Sequence, residues 1–254
     1  NIITKKIIYF YLFVLSFITM NSCSNHNTLS IGHRGAKGYI AENTYESISK
    51  AIELGVDGIE IDVFKCASGE LVLFHDKNLK ELTGESGLIE NLTIKELEQF
   101  LVQGKYKIPT LKDVLTRIEK PLFVNIELKG LNTAQATSKI IADISRSTSW
   151  SLEHFIVSSF NWDELELFRS IDKNTSVGVL VSKSMSINEA IEFGKKINAQ
   201  AIHPNFKLLN DKAVKKIKNN GFKIYTWTVN NEDDINFMKK LKVDGIISDY
   251  PDRI

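Results

Sequence analysis

The chain reads as an α/β protein, a TIM-type (β/α)8 barrel with an extra hairpin strand and an enlarged loop after its second strand. Eight short apolar runs alternate with amphipathic helical patterns from residue 29 onward, the signature of parallel βαβ units. The 254 residues suffice for one such barrel and are too few for a second full domain beside it. Reactive side chains gather where apolar runs end, at His33, Glu60, Asp62, Glu127 and His203. That is the rim on which barrels of this type build their sites.

The strand candidates are residues 29–32, 58–63, 123–127, 155–158, 177–181, 201–202, 223–229 and 245–247. Asn43 with Glu46 three positions on has the form of a capping box, with Tyr45, Ile48, Ala51 and Ile52 on one helix face and Gly55 as a stop. Asn161 and Glu164 repeat the signal ahead of Leu165 and Phe168. Later helices carry Val214 and Ile217, then Ile235, Met238 and Leu241. A ninth apolar run, 71–74, follows Val63 across a turn at Ser68-Gly69 and reads as a hairpin partner outside the alternation. Residues 78–120 then form the enlarged loop, with helices near 94–101 and 111–118. No eighth helix fits after Tyr250-Pro251, which predicts a barrel left incompletely closed there or capped by other segments.

Hydrophobic content of 43%, charged content of 25% and a net charge of +1 are ordinary for a globular domain and give no footprint for nucleic acid. The first residues differ. Lys5-Lys6 precede an apolar run from Ile7 to Ile18, and Cys23 follows the small residue Ser22. This predicts a signal peptide over 1–22, a lipidated Cys23, a polar tether over 23–28 and a domain over 29–254 on the extracytoplasmic side of a bacterial membrane. A signal peptide with a coincidental cysteine is the competing reading. With Cys23 lipidated, Cys66 has no partner, so the fold rests on its core rather than on disulfides.

Glu60 and Asp62 are two apart on a strand, so both point to the same side, here the barrel interior. Burying them together is costly without a compensating cation. With Glu127 they offer an all-oxygen ligand set suited to one Ca²⁺ or Mg²⁺ rather than Zn²⁺. His33 and His75, each at a strand end beside a charged residue, suit general acid and base roles in either assignment. Arg34 and Lys129 suit stabilisation of phosphoryl oxygens. Glu42 reads as a carboxylate behind the site that orients Arg34 or the metal, and Asn43 as a helix cap. His203 shares the rim and reads as structural.

The ordered motifs His33-Arg34-Gly35, Glu42-Asn43-Thr44, Glu60-Ile61-Asp62, His75-Asp76 and Glu127-Leu128-Lys129 resemble those of the glycerophosphodiester phosphodiesterases. Thr226-Trp227-Thr228-Val229-Asn230 and the closing 244–251 segment extend the resemblance. It implies a TIM-barrel hydrolase that cleaves glycerophosphodiesters to glycerol 3-phosphate and an alcohol, with Trp227 against the glycerol moiety. Two alternatives stay open: a phospholipase-D-like relative releasing a cyclic phosphate, and a lipid-anchored protein that binds phosphodiesters without turnover. One departure is Ala41, where the family usually has proline, which predicts a looser loop with its chemistry intact.

Overall fold

A computed structural model describes residues 27–254, so the export segment, Cys23 and the start of the tether lie outside the described residues. Eight parallel strands form a closed ring: β1 (Leu29–His33), β2 (Gly58–Lys65), β6 (Phe123–Leu128), β7 (Phe155–Ser159), β8 (Ser176–Val181), β9 (Ala201–Pro204), β10 (Lys223–Thr226) and β11 (Gly245–Ser248). The intervening β3 (Leu71–Leu73) lies antiparallel on β2, with Val63 opposite Leu73, as the hairpin reading expected.

Of the two outcomes expected at the C-terminal end, incomplete closure is overturned and capping by another segment is found. β1 pairs with β11, Leu29 against Gly245 and Gly32 against Ser248, and also with β2, Ile31 against Gly58. The ring is sealed by strand hydrogen bonds, which need no eighth helix. A short 3-10 turn, Pro251–Arg253, stands in its place. The seventh barrel strand is also shorter than expected: β10 ends at Thr226, and Trp227 lies beyond it.

Helices α1 (Tyr45–Glu53), α5 (Ala134–Ser147), α6 (Trp162–Ile171), α7 (Ile187–Lys196), α8 (Asp211–Asn219) and α9 (Glu232–Lys240) pack outside the ring. The insert after β3 holds α2 (Lys80–Thr83), α3 (Ile94–Leu97), the small hairpin β4 (Leu101–Val102) and β5 (Tyr106–Lys107), and α4 (Leu111–Arg117). The expected helix over 94–101 is thus cut short by strand pairing of Leu101 with Lys107. A separate core beneath the insert gathers Phe64, Val72, Phe74, Leu79, Ile89 and Leu97, and Cys66 lies buried among them as a free thiol.

On β2 the alternation works as predicted. Ile59, Ile61 and Val63 join the outer core against the helices, while Glu60 and Asp62 take the opposite face. Inside the ring, Ile31, Ile156, Ala201, Tyr225 and Ile247 form a second apolar layer below the mouth. His203 lies in that interior, fully buried, its ring edge-on to Tyr225 at 5.2 Å. It fits because β8 presents Gly178 there: a Cβ on that residue would stand 2.2 Å from His203 Nε2.

Candidate active site

The mouth of the barrel begins where β1 turns. Arg34 and Gly35 take left-handed backbone conformations (φ 51 and φ 85), and a side chain on Gly35 would collide with Ser47. Such a conformation is unfavourable for arginine. It is held because the Arg34 amide donates to Glu60 Oε2 at 3.0 Å and the Arg34 carbonyl accepts from Ser47 Oγ at 2.9 Å. The guanidinium is thereby aimed at two acids. Its Nη1 donates to Glu42 Oε1 at 2.6 Å, and its Nε stands 3.1 Å from Asp62 Oδ2. Glu42 also pairs with Lys37 at 2.8 Å, so it orients Arg34 within the site.

Asn43 does not cap α1. Thr44 is the cap, accepting from the Ser47 amide at 3.1 Å. Asn43, left-handed at φ 55, instead grips Asp62 twice. Its Nδ2 donates to Asp62 Oδ2 at 2.8 Å, and its Oδ1 accepts the Asp62 amide at 3.1 Å. The second predicted cap holds, with Asn161 accepting the Glu164 amide.

Glu60, Asp62 and Glu127 are all buried, and each offers an oxygen within 4.8 Å of the others. β2 and β6 set this spacing through the register that places Asp62 opposite Glu127. Burial pushes the Glu60 carboxyl well above the usual range, and Asp62 and Glu127 push it further. Glu127 is pushed up to about 7 by burial and by Asp62, despite Lys129 Nζ at 2.9 Å. Burial opposes ionisation of Asp62 too, but Arg34 and Lys129 overcome it and hold its carboxyl below the ordinary value. Glu60 Oε1 and Asp62 Oδ1 are buried without a hydrogen-bond partner. Orphaned, mutually repelling carboxylate oxygens at this separation fit a hard divalent cation, whose oxygen ligands stand about 2.3–2.6 Å away in the case of Ca²⁺. These three residues are the ones that could hold it.

His33, Arg34, Glu60, His75, Glu127, Lys129 and Trp227 all face one cavity of about 440 Å³ including its open mouth. His33 Nδ1 lies 2.6 Å from Asp249 Oδ1, and its Nε2 lies 3.9 Å from Glu60 Oε2. His75 Nδ1 lies 2.7 Å from Asp76 Oδ1. Burial draws both imidazoles below their ordinary value. The far wall is apolar: Phe160, Leu180, Trp227 and Ile247, with the Phe160 and Trp227 rings edge to face at 5.3 Å. Trp227 is fixed by donating its Nε1 hydrogen to the His203 carbonyl at 2.8 Å. The His203 ring does not line this cavity. Burial without a polar partner takes its imidazole down to about 3.

Sequence reasoning thus placed the charged groups and Trp227 on one rim and missed Asp249 and, on the apolar wall, Phe160, Leu180 and Ile247. Asp249 stands one residue past β11, so the strand-end logic applied to His33 points to it as well.

The sequence profile of the glycerophosphoryl diester phosphodiesterase family matches residues 33–253. A glycerophosphodiester phosphodiesterase of Caldanaerobacter subterraneus subsp. tengcongensis is 31% identical over 236 residues, spanning 89% of this chain and 96% of that one. One from Bacillus altitudinis is 32% identical over 243 residues, spanning 89% and 96%. Among solved structures, a phosphodiesterase of Oleispira antarctica in complex with the product sn-glycerol-3-phosphate superposes with a TM-score of 0.79 at 27% identity, covering 88% of this chain and 94% of that one. The glycerophosphodiester phosphodiesterase of Thermotoga maritima gives 0.73 at 29%, covering 89% and 97%. By these matches the chain belongs to the glycerophosphoryl diester phosphodiesterase family of phosphoric diester hydrolases.

Proposed function

We propose that this chain hydrolyses glycerophosphodiesters to glycerol 3-phosphate and an alcohol, with one Ca²⁺ or Mg²⁺ held by Glu60, Asp62 and Glu127 and with His33 and His75 exchanging protons with the substrate. The observation that carries the reading is the buried carboxylate cluster, whose Glu60 and Glu127 line the same cavity as His33 and His75. A divalent cation there supplies charge that polarises a phosphoryl oxygen. Arg34 and Lys129, the cations already present, bind and orient the remaining phosphoryl oxygens. One imidazole takes the proton of the attacking water or glycerol hydroxyl as the new P–O bond forms. The other, entering the step as imidazolium, gives its proton to the departing alkoxide as the old P–O bond breaks, and transfer of the proton held by the first histidine restores the starting state. Trp227 and the neighbouring apolar wall receive the carbon skeleton of glycerol and limit water at the phosphorus.

The test is ³¹P NMR of purified protein with glycerophosphocholine, glycerophosphoethanolamine and glycerophosphoinositol, with and without EDTA. Glycerol 3-phosphate should accumulate, EDTA should stop it, and Ca²⁺ or Mg²⁺ should restore it where Zn²⁺ restores little. Undiminished turnover in excess chelator removes the metal assignment. A cyclic phosphate as end product gives the phospholipase-D-like reading, and binding without turnover gives the binding-protein reading.

We also infer that the mature protein is lipid-anchored through Cys23 on the extracytoplasmic side of a bacterial membrane. Lys5-Lys6, the apolar run from Ile7 to Ile18 and the Ser22-Cys23 pair support this. Among the described residues no helix is long and apolar enough to cross a membrane. Mass spectrometry of the native protein should find a diacylglyceryl group on an N-terminal Cys23, and Cys23→Ser should free the domain from the membrane fraction or stall its processing. An unmodified Cys23 rejects the anchor.

A further inference from the structure

Two histidines face the cavity, each with a carboxylate at Nδ1, but the carboxylates differ in how they are held. Asp76 is the neighbour of His75 in the chain, is 42% exposed in its side chain, and shows no hydrogen bond besides that to His75. Asp249 comes to His33 from the opposite end of the sequence and is itself clamped. Its Oδ2 accepts from Asn230 Nδ2 at 2.8 Å, while Asn230 Oδ1 accepts the Asp249 amide at 2.9 Å and the Ser248 hydroxyl at 3.1 Å. The Asp249 carbonyl accepts the Gly38 amide at 2.9 Å, tying this segment to the loop that follows β1.

We propose that Asp249, locked by Asn230, is a positioning residue that fixes His33 in the Nδ1–H tautomer and turns its Nε2 lone pair toward the reacting phosphodiester. The chemistry allows one hydrogen pattern. The Asn230 amide donates to one Asp249 oxygen, and a carboxylate held this way accepts hydrogen bonds and donates none. The imidazole nitrogen 2.6 Å away is therefore the donor, and in neutral His33 the other nitrogen carries the lone pair. That nitrogen is on the side of Glu60, at the cavity. A carboxylate selecting the tautomer of a catalytic imidazole is the arrangement that hydrolytic triads use, and replacing such a carboxylate by the amide favours the wrong tautomer. For His75 the same geometry lacks the clamp, so its partner is the less influential of the two.

The inference rests on the proton-transfer reading of His33, and two measurements separate their fates. In Asp249→Asn, kcat should fall by about 10²–10⁴-fold, the range of a positioned acid or base, while KM stays within about threefold. Asp76→Asn should lose about tenfold or less. Long-range ¹H–¹⁵N spectra of the Ca²⁺-loaded protein, at a pH where His33 is neutral, should show the proton on Nδ1 in the wild type and a shifted or mixed tautomer in Asp249→Asn. Asp249→Glu, which restores a carboxylate, should return the Nδ1–H pattern and part of the lost kcat, and it carries the test if the amide variant does not fold. An Nε2–H pattern in the wild type, or an unchanged tautomer or unchanged kcat in Asp249→Asn, overturns the proposal. Full activity of His33→Ala overturns the underlying proton-transfer reading, and with it the use to which the tautomer is put.

Discussion

The two arcs of the barrel mouth are made from the same kind of strand end and solve opposite problems. The arc on β1, β2 and β6 crowds Arg34, Glu60, Asp62, Glu127 and Lys129 into a buried space, and leaves carboxylate oxygens without partners. The arc on β7, β8, β10 and β11 lines the cavity with Phe160, Leu180, Trp227 and Ile247, and the one polar hydrogen among these side chains, on the Trp227 indole, is bound to backbone. The first leaves Glu60 and Glu127 in unfavourable electrostatics that a bound cation relieves. The second is already satisfied. The charged arc should therefore trade stability for function, and the apolar arc should serve both together.

The widest separation of those two properties is expected at Glu60. Glu60→Gln removes one of three repelling acids, so kcat/KM should fall by at least about 10³-fold, several kcal/mol of lost charge stabilisation. The metal-free protein should at the same time become more heat-stable, by roughly 2–4 °C for each kcal/mol of repulsion relieved in a chain of this size. Ca²⁺ should raise the melting temperature of the wild type by binding the folded state, and do so less in the variant. Calorimetry with and without EDTA reads both; a variant less stable than wild type without metal would break the contrast.

Next in size are His33→Ala and His75→Ala. Each should cost about 10²–10⁴-fold in kcat with melting temperature little changed, because neither ring contributes to a core cluster. Retention of more than about a tenth of wild-type kcat by either would remove that residue from the proton-transfer pair.

Trp227→Ala tests the apolar arc. It should raise KM about tenfold, within the ~1–3 kcal/mol that an apolar pocket contact is worth, with kcat changed much less. In this case melting temperature should fall as well, since the indole packs on Phe160 and holds the His203 carbonyl. A kcat-dominated loss would mean that this wall acts on the transition state rather than on binding.

The smallest effect concerns the floor beneath that wall. His203 is held neutral, its folded value taken to about 3 against 6.5 for the free side chain. Its contribution to stability is complete above pH 6.5 and is lost as pH falls from there toward 3, because only the unfolded chain takes up the proton. The slope is about 1.4 kcal/mol per pH unit at most. Glu127, pushed up to about 7, titrates in the same window with the opposite sign, so the useful quantity is a difference between proteins. His203→Asn should lose less stability than wild type between pH 7.5 and 5.0, measured as the shift in urea midpoint. Equal shifts would mean that the imidazole finds a partner in the folded protein.

Much of this is legible in the sequence itself. The alternation of Ile59-Glu60-Ile61-Asp62-Val63 is a local property of a strand with one face in a core and the other toward the barrel axis. What escaped depends on partners far away in sequence. Asn43 followed by Glu46 has the local form of a cap, but Asp62, 19 residues on, competes for its amide and wins, leaving Thr44 to cap. Asp249 acts on a residue 216 positions away, across the β1–β11 seam. The same seam hid the closure of the ring, since hydrophobic periodicity reports the face a strand buries and is silent about its neighbour. The export and anchoring reading concerns residues outside the described structure.

The contact between Gly178 and His203 also constrains how such a sequence can drift. A side chain at position 178 would force the His203 ring to shift, since the imidazole fills the space its Cβ would need, 2.2 Å away. The easier order shrinks position 203 first, and a smaller residue there leaves a hollow until position 178 grows into it. Each single step is costly where the pair of steps is not, so the two codons are epistatic and one order of change is favoured. Since the His203 backbone carries the Trp227 indole, that hidden ordering reaches the wall of the active site.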